Sequence, residues 1–294
     1  MLVLLKKVIN KLDVIFRYVI SVINFIFYFI LNRISKKKIE DHADIVISLT
    51  SFSKRLNLVY LTIESVFRQK CASKYEVHLY LSKLDITSSG LPNSLKRLED
   101  RGLKIFIVDE NIKSYKKLFY SSLYNESKPI ITIDDDIFYP SYWLNKLLMK
   151  AALNPNSVIA YRGHNITFKD SGILNKYSDF IQTPIKKING ANFMPTGVSG
   201  VFYPIGSLKG LNEEQEFFLK LCPNADDIWF KFKTIRNGFD SILVGDKSVH
   251  FISIPSSQNF SLRKFNLDES GNDIQLKNAL DHFPEVYDIL KNSK

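Results

Sequence analysis

Three consecutive aspartates, Asp134, Asp135 and Asp136, directly follow an apolar, β-branched run over residues 128–133. Such a run is typical of a buried strand, and three carboxylates at its end are costly unless positive charge lies against them. A divalent cation with a phosphate behind it commonly supplies that charge. Because ligands of open α/β sheets bind at the carboxyl ends of strands, the run predicts an ionic ligand site at the edge of such a sheet.

A solvated turn is the alternative interpretation of the aspartate run, since Asp is common in turns and caps. The residues that follow favour the ligand site. Aromatic residues and Pro140 come next, and Ser141 then has the character of an N-cap for an amphipathic helix containing Trp143 and Leu147.

The length and the cysteine content set the class of protein. With 294 residues, 45% of them hydrophobic, the chain can bury the core of one large domain or two small ones. Its two cysteines, Cys71 and Cys222, form no CxxC pair. This count excludes a disulfide framework, argues against a structural zinc site and fits a reducing compartment.

The first forty residues differ from the rest of the chain. Leu12 to Leu31 is almost entirely apolar and long enough to span a bilayer, but Asp13 and Arg17 lie in its first half. The polar residues fall three or four apart, on one helical stripe: Lys6, Asn10, Asp13, Arg17, Ser21 and Asn24. The stripe favours an interfacial or partly embedded helix for the first half, which grades into the wholly apolar Phe25–Leu31, and both a spanning and a flat orientation stay open. A soluble helix packed on the domain or on a partner is the alternative.

Charge is concentrated in the same region. Residues 1–40 carry eight Lys or Arg and two Asp or Glu, a net charge of +6 out of +10 for the chain. We therefore expect an anionic membrane surface as a partner. Nucleic acid is not expected, because the excess is not spread along an aromatic-studded strand or a recognition helix.

The remainder alternates between strands and helices, which predicts an α/β fold with a mostly parallel sheet. Strands are predicted at Asp44–Leu49, Val77–Leu81, Lys104–Val108 and Lys128–Ile133, and helices at Leu56–Arg68, Ser94–Arg101 and Ser114–Asn125.

Several ordered blocks carry a resemblance to a known family. They are Ile47–Phe52 with Arg55, Thr62–Ser65 with Gln69, Lys117–Leu118, Ile131–Asp136, Thr196–Pro204 and Asn224–Phe230. In this order, over roughly Asp44 to Ile254, they resemble bacterial nucleotide-sugar glycosyltransferases of the GT-A fold. The resemblance implies a GT-A-like (Rossmann-like) catalytic domain over residues 41–255. A membrane-associating helix over residues 1–40 would precede it, and residues 256–294 would follow as a lid or a packed helix.

The resemblance also implies a metal site. Asp136 would bind Mn²⁺ or Mg²⁺ on the donor diphosphate, and Asp134 would contact the ribose or a metal-bound water, while Asp135 could face either side. His250 would be a further ligand in several such enzymes, and a structural histidine bonded to the backbone is its alternative.

The donor nucleotide would be held by residues at the ends of the first strands. Lys117 would lie near the diphosphate, and Thr50, Ser51 and Arg55 would seat the nucleotide, although solvated surface side chains are the alternative. Gly197 and Gly200 would let the backbone pass close to the donor sugar or the acceptor, unless they serve only a turn.

An acidic pair, Asp226 and Asp227, is the candidate catalytic pair. In inverting members of the family the second aspartate is the general base for the acceptor hydroxyl, with the first as its partner or an acceptor contact. Helix capping is the alternative role for both. Some GT-A enzymes with a similar triple aspartate retain configuration, so inversion is the favoured but not the only outcome.

The expected function is transfer of a sugar from a nucleotide-sugar donor, preferably a UDP-sugar, to a glycan or lipid-linked acceptor. The resemblance places this reaction in bacterial surface polysaccharide biosynthesis, such as capsule or lipopolysaccharide, at the cytoplasmic face of the inner membrane. Two alternatives are a metal-dependent nucleotidyl- or phosphotransferase, against which the lack of a glycine-rich phosphate loop argues, and a non-catalytic glycan-binding scaffold.

Overall fold

The computed structural model describes residues 2–39, 43–86, 90–185, 188–255 and 271–293. Its centre is an eight-stranded sheet in the order β3-β2-β1-β4-β10-β6-β11-β8. The strands are β1 (Ile45–Thr50), β2 (Tyr75–Ser82), β3 (Leu103–Val108), β4 (Ile130–Thr132), β6 (Ser157–Ala160), β8 (Asn189–Gly190), β10 (Val201–Tyr203) and β11 (Asp240–Leu243). Six of them run in one direction, whereas β10 and β8 run against their neighbours.

Two small two-stranded sheets accompany the central one. β5 (Ile137–Phe138) pairs with β12 (Ile252–Ser253), and β7 (Gly163–Asn165) pairs with β9 (Phe193–Pro195), both antiparallel. The first of these sheets directly follows the aspartate run, so it fixes the chain on the far side of Asp136.

Helices flank the sheet. They are α1 (Leu2–Ile34), α2 (Val59–Val66), α3 (Asn93–Glu99), α4 (Lys116–Tyr124), α5 (Trp143–Ala152), α6 (Tyr177–Gln182), α7 (Gln215–Leu221), α8 (Asp226–Arg236), α9 (Gly271–His282) and α10 (Pro284–Asn292). Neighbouring residues of β4 belong to different hydrophobic cores. Ile130 lies in the core that contains Trp229 of α8, whereas Ile131 lies in the core that contains Trp143 of α5. This alternation follows from the pleat, and it confirms the predicted α/β class with a mostly parallel sheet flanked by helices.

Two local predictions differ from the structure. α5 begins at Trp143 with Tyr142 at its N-cap, so Ser141 is not the cap. α8 begins at Asp226 with Ala225 at its N-cap, so the acidic pair forms the first turn of that helix and neither residue is the cap that was its alternative role.

The two ends of the chain also form helices. α1 covers 33 residues, and its part from Lys11 to Ile34 is long and apolar enough to cross a membrane by length and composition. At the other end, α9 and α10 pack on the domain through buried Leu276 and Leu290. The predicted lid falls partly on residues 256–270, which lie outside the described residues.

Candidate active site

Arg55 holds the second and third aspartates of the run. Its Nη1 lies 2.7 Å from Asp135 Oδ1 and 3.1 Å from Asp136 Oδ2, and Ser51 Oγ donates to Asp135 Oδ2 at 2.6 Å. Burial raises the pKa of Asp135, against the charge of Arg55, which lowers it. This guanidinium therefore supplies much of the positive charge that two buried carboxylates require.

Asp134 faces the opposite partner, Lys117. Lys117 Nζ lies 2.9 Å from Asp134 Oδ1 and 3.8 Å from Asp226 Oδ2, so one buried lysine joins carboxylates 92 residues apart in sequence. The Asp134 side chain is 26% exposed, whereas those of Asp135 and Asp136 are 7% and 10% exposed. Asp134 is therefore the carboxylate of the run that is most open to a ligand.

Asp227 completes this cluster through the glycine loop before β10. The Gly197 N–H donates to Asp227 Oδ1 at 3.0 Å. A Cβ added at Gly197 would lie 2.9 Å from Lys117 Nζ, 3.3 Å from Asp227 Oδ1 and 3.6 Å from Asp134 Oδ1. The absence of a side chain at Gly197 thus lets charged groups from three segments meet.

The electrostatics of the cluster set the protonation of Asp227. Burial, together with the charge of Asp226, raises the pKa of Asp227 to about 7, although Lys117 and the Gly197 N–H oppose the rise. Desolvation lowers the pKa of Lys117, but the charges of Asp134, Asp226 and Asp227 outweigh it and hold that pKa well above its usual range. The site therefore contains a permanent cation beside a carboxyl that can exchange a proton near neutral pH.

The remaining predicted donor residues lie around this cluster in different roles. Thr50 donates its hydroxyl to the Tyr80 carbonyl at 2.7 Å. Gly200 has φ +100°, and a Cβ there would lie 2.7 Å from Trp143, so packing and backbone conformation already require glycine at this position. A donor contact at Thr50 or Gly200 stays a prediction.

His250 lies at the rim of the site. Its Nδ1–H donates to the Phe251 carbonyl at 2.9 Å, which leaves Nε2 as the nitrogen available for a ligand. Burial lowers its pKa, and the charge of Asp134 acts on it in the opposite direction. His164, by contrast, has its pKa lowered to about 4 by burial and by Arg162.

A divalent ion fits this arrangement only if a phosphate and water supply most of its ligands. Among the described residues, no three His, Cys, Asp or Glu side chains come together as a preformed metal cage. Mg²⁺ at phosphates typically needs only one or two protein carboxylates, the other ligands being phosphate oxygens and water. The partly exposed Asp134 meets that need, and buried Asp226 Oδ2 accepts no hydrogen bond from the part of the chain described.

Sequence reasoning missed two groups near the cluster. The Asp134 N–H donates to the hydroxyl of the fully buried Tyr139 at 3.1 Å, which fixes the backbone at the start of the aspartate run. The charge of Arg162 acts on His250 and on Tyr177, and Tyr177 also feels Asp227. Neither Arg162, two residues before His164, nor Tyr139 carried a sequence signal beyond its residue type.

Comparisons with known proteins give distant structural likenesses. No known family model matches the sequence, and no curated protein matches it. A crystal structure of the first 349 residues of S. aureus TarS aligns with 82% of this chain and 72% of its own, at 12% identity and a TM-score of 0.49. The same fragment with UDP aligns with 70% of this chain and 59% of its own, at 12% identity and a TM-score of 0.46.

A third similar structure is the mannosyltransferase PcManGT from Pyrobaculum calidifontis in complex with GDP-Man and Mn²⁺. It aligns with 92% of this chain and 81% of its own, at 14% identity and a TM-score of 0.47. At these identities and TM-scores, none of the three structures assigns a function to this chain.

Proposed function

We propose that the chain is a metal-dependent glycosyltransferase that moves a sugar from a nucleotide-sugar donor to an acceptor hydroxyl, with inversion. The observation that carries the proposal is the convergence of Asp134, Lys117, Asp226 and Asp227 around Gly197. The lysine suits a diphosphate directly, an open carboxylate suits one through a divalent cation, and a carboxyl with a pKa near 7 suits a general base.

In the proposed reaction, Asp227 acts on the acceptor and Lys117 acts on the leaving group. Asp227 takes the proton of the acceptor hydroxyl while the acceptor oxygen forms its bond to the anomeric carbon of the donor. The bond from that carbon to the diphosphate oxygen breaks, and the nucleoside diphosphate leaves with the bonding electrons. Lys117 lies where its charge can offset the negative charge that develops on this leaving group.

A metal ion would be held by Asp134 and Asp136 of the aspartate run, with His250 as a further candidate ligand. When bound, Mn²⁺ or Mg²⁺ would neutralise charge on the departing diphosphate. Arg55 Nη1 lies 3.1 Å from Asp136 Oδ2, so its charge would share this carboxylate with the ion.

The finer assignments follow the sequence resemblance. We propose a UDP-sugar as donor and a glycan or lipid-linked acceptor of bacterial surface polysaccharide, capsule or lipopolysaccharide, used at the cytoplasmic face of the inner membrane. The basic, apolar N-terminal region supports an acceptor that is attached to a membrane.

A donor panel tests the function. Thermal unfolding of the full chain is measured with UDP-, GDP-, CMP- and dTDP-sugars, with and without Mn²⁺. We expect one nucleotide class to raise the midpoint temperature only with the metal. With a UDP-, GDP- or dTDP-sugar, the addition of acceptor should then release the nucleoside diphosphate, and with a CMP-sugar it should release CMP, in each case with the sugar bound to the acceptor. A nucleotidyl- or phosphotransferase would not form this glycosylated acceptor.

The Asp136→Ala variant and EDTA provide the contrary outcomes. Sugar transfer at the full rate in either case would contradict the role of the aspartate run. No stabilisation by any donor, in a protein that unfolds cooperatively, would favour the glycan-binding scaffold instead.

A further inference from the structure

One face of α1 is apolar and exposed from Ile9 to Ile34. Leu12, Ile23 and Ile34 are 60%, 59% and 68% exposed, and each is eleven residues from the next. At 100° per residue this spacing keeps them within about 40° of one another. Further exposed apolar side chains widen the face: Ile9, Ile15, Phe16, Val19, Ile26, Phe27 and Ile30.

The opposite face of α1 is bound to the domain. Arg17 Nη2 donates to the carbonyls of His250 and Phe251 at 2.9 and 3.1 Å, and Ser21 Oγ donates to the Ser253 carbonyl at 2.5 Å. Further along, Tyr28 stacks on Phe138 with ring centroids 5.4 Å apart.

The docking continues to the end of the helix. Buried Asn32 donates to Glu64 Oε1 and to the Ser94 carbonyl, both at 3.1 Å, and accepts from Arg97 at 2.8 Å. Glu64 is itself paired with Arg101. The polar stripe predicted from sequence is thus used, in its second half, as a docking surface.

The length of this docking surface decides between a spanning and a flat helix. Contacts from Arg17 to Asn32 cover sixteen residues, or about 22 Å of helix, against about 30 Å of hydrocarbon in a bilayer. In a spanning orientation the domain alongside would carry Glu64, Arg97 and Arg101 into the hydrocarbon, which is prohibitively costly.

We infer that α1 lies in the plane of a membrane surface, with its exposed face in the bilayer and the domain held on its other face. The occupant of the face is an anionic lipid bilayer, because basic residues follow the helix directly at Lys36, Lys37 and Lys38 and the first forty residues carry a net charge of +6. Exposed Lys11 and Arg33 add charge near its two ends.

The inference also sets the position of the candidate active site. Arg17 and Ser21 bind the segment that contains His250 and β12, and the Ile254 N–H, next to β12, donates to the Asp136 carbonyl at 2.8 Å. Only one short strand therefore separates the membrane helix from the aspartate run. The site lies close to the lipid surface, whichever reaction it performs.

Depth measurements on the full chain test the orientation. Leu12→Trp, Ile23→Trp and Ile34→Trp are made one at a time, and quenching by lipids brominated at shallow or deep positions is recorded. The native Trp143 and Trp229 are fully buried, so they give a constant background. The vesicles are phosphatidylcholine with and without phosphatidylglycerol in equal parts.

A flat helix predicts binding that strengthens with phosphatidylglycerol and the same shallow quenching at all three positions. Deep quenching at position 23 with shallow quenching at 12 and 34 would establish a spanning helix and overturn the inference. So would a failure of the wild-type chain to sediment with vesicles.

A matched pair of substitutions tests the face itself. Ile23→Asp should lower the fraction bound to mixed vesicles at least tenfold, whereas Leu153→Asp, at an 80% exposed position on the domain, should leave it unchanged. Equal loss from both, or a dimer that Ile23→Asp dissociates without any vesicle binding, would assign the face to another partner. Because these readouts need no sugar transfer, they stand or fall separately from the proposed function.

Discussion

The pKa of Asp227 depends on two neighbours whose charges are opposite to each other, Asp226 and Lys117. Asp226 raises its pKa and Lys117 lowers it, on top of the larger effect of burial. The pKa of a general base appears as the acid limb of the rate profile, so kcat/KM should rise with pH through about 7. Asp227→Asn should lower kcat by about 10²–10⁴-fold and abolish this limb.

Substitution of Asp226 or of Lys117 should shift the pKa of Asp227 in opposite directions. Asp226→Asn should move the acid limb of kcat/KM to lower pH, and Lys117→Met should move it to higher pH, measured on whatever activity remains. A limb that stays in place in both variants would exclude Asp227 as the titrating base.

The free energy of unfolding should also depend on pH because of the raised pKa of Asp227. Because the folded pKa of Asp227 is raised above its unfolded value, the folded state holds a proton that the unfolded state has lost between about pH 4 and 7. Stability therefore falls as pH rises through this window. Asp227→Asn should unfold at a higher temperature than the wild type at pH 8 but at a similar temperature at pH 4.

At the scale of elements, the loop before β10 and the start of α8 are packed without spare room. The carboxylate of Asp227 accepts from the Gly197 N–H, and an added Cβ at Gly197 would lie 2.9 Å from the buried Lys117 ammonium. Lys117 cannot retreat without breaking its pair with Asp134. The conformation of this loop and the charge pairs of α4 and β4 are therefore coupled.

Gly197→Ala should lower kcat/KM by at least tenfold with little change in the circular dichroism spectrum, because it displaces Lys117 from Asp134. Gly245→Ala is the control, since a Cβ there meets nothing within 4 Å. Equal activity in the two variants would show that Lys117 moves aside freely and that its position does not matter.

At the scale of the whole molecule, α1 is part of the folded domain as well as the proposed surface for lipid. Arg17 donates to two backbone carbonyls beside His250, and removing it leaves both without that donor. Arg17→Ala should reduce the free energy of unfolding by about 1 kcal/mol, since the bonds are partly exposed. Urea unfolding in detergent measures the loss, with Lys11→Ala, on an exposed residue of the same helix, as the control.

The sequence by itself determined the fold class and pointed to the carboxylates of the candidate site. The alternation of strands and helices fixed an α/β sheet because side-chain periodicity decides which faces are buried, and the carboxyl ends of parallel strands gather their ligands at one edge. The aspartate run was recognisable because clustered carboxylates require a compensating charge, and the acidic pair because of its place in the family resemblance.

Only the tertiary structure decided which charge compensates which carboxylate. Arg55 binds Asp135 and Asp136, and Lys117 binds Asp134 and Asp226, because partners far apart in sequence meet only when β1, β4, α4 and α8 are packed. The pKa of Asp227 depends on the same packing. The polar stripe of α1 could be seen in the sequence, but its partner could not, since backbone carbonyls of residues 250–253 carry no sequence signal.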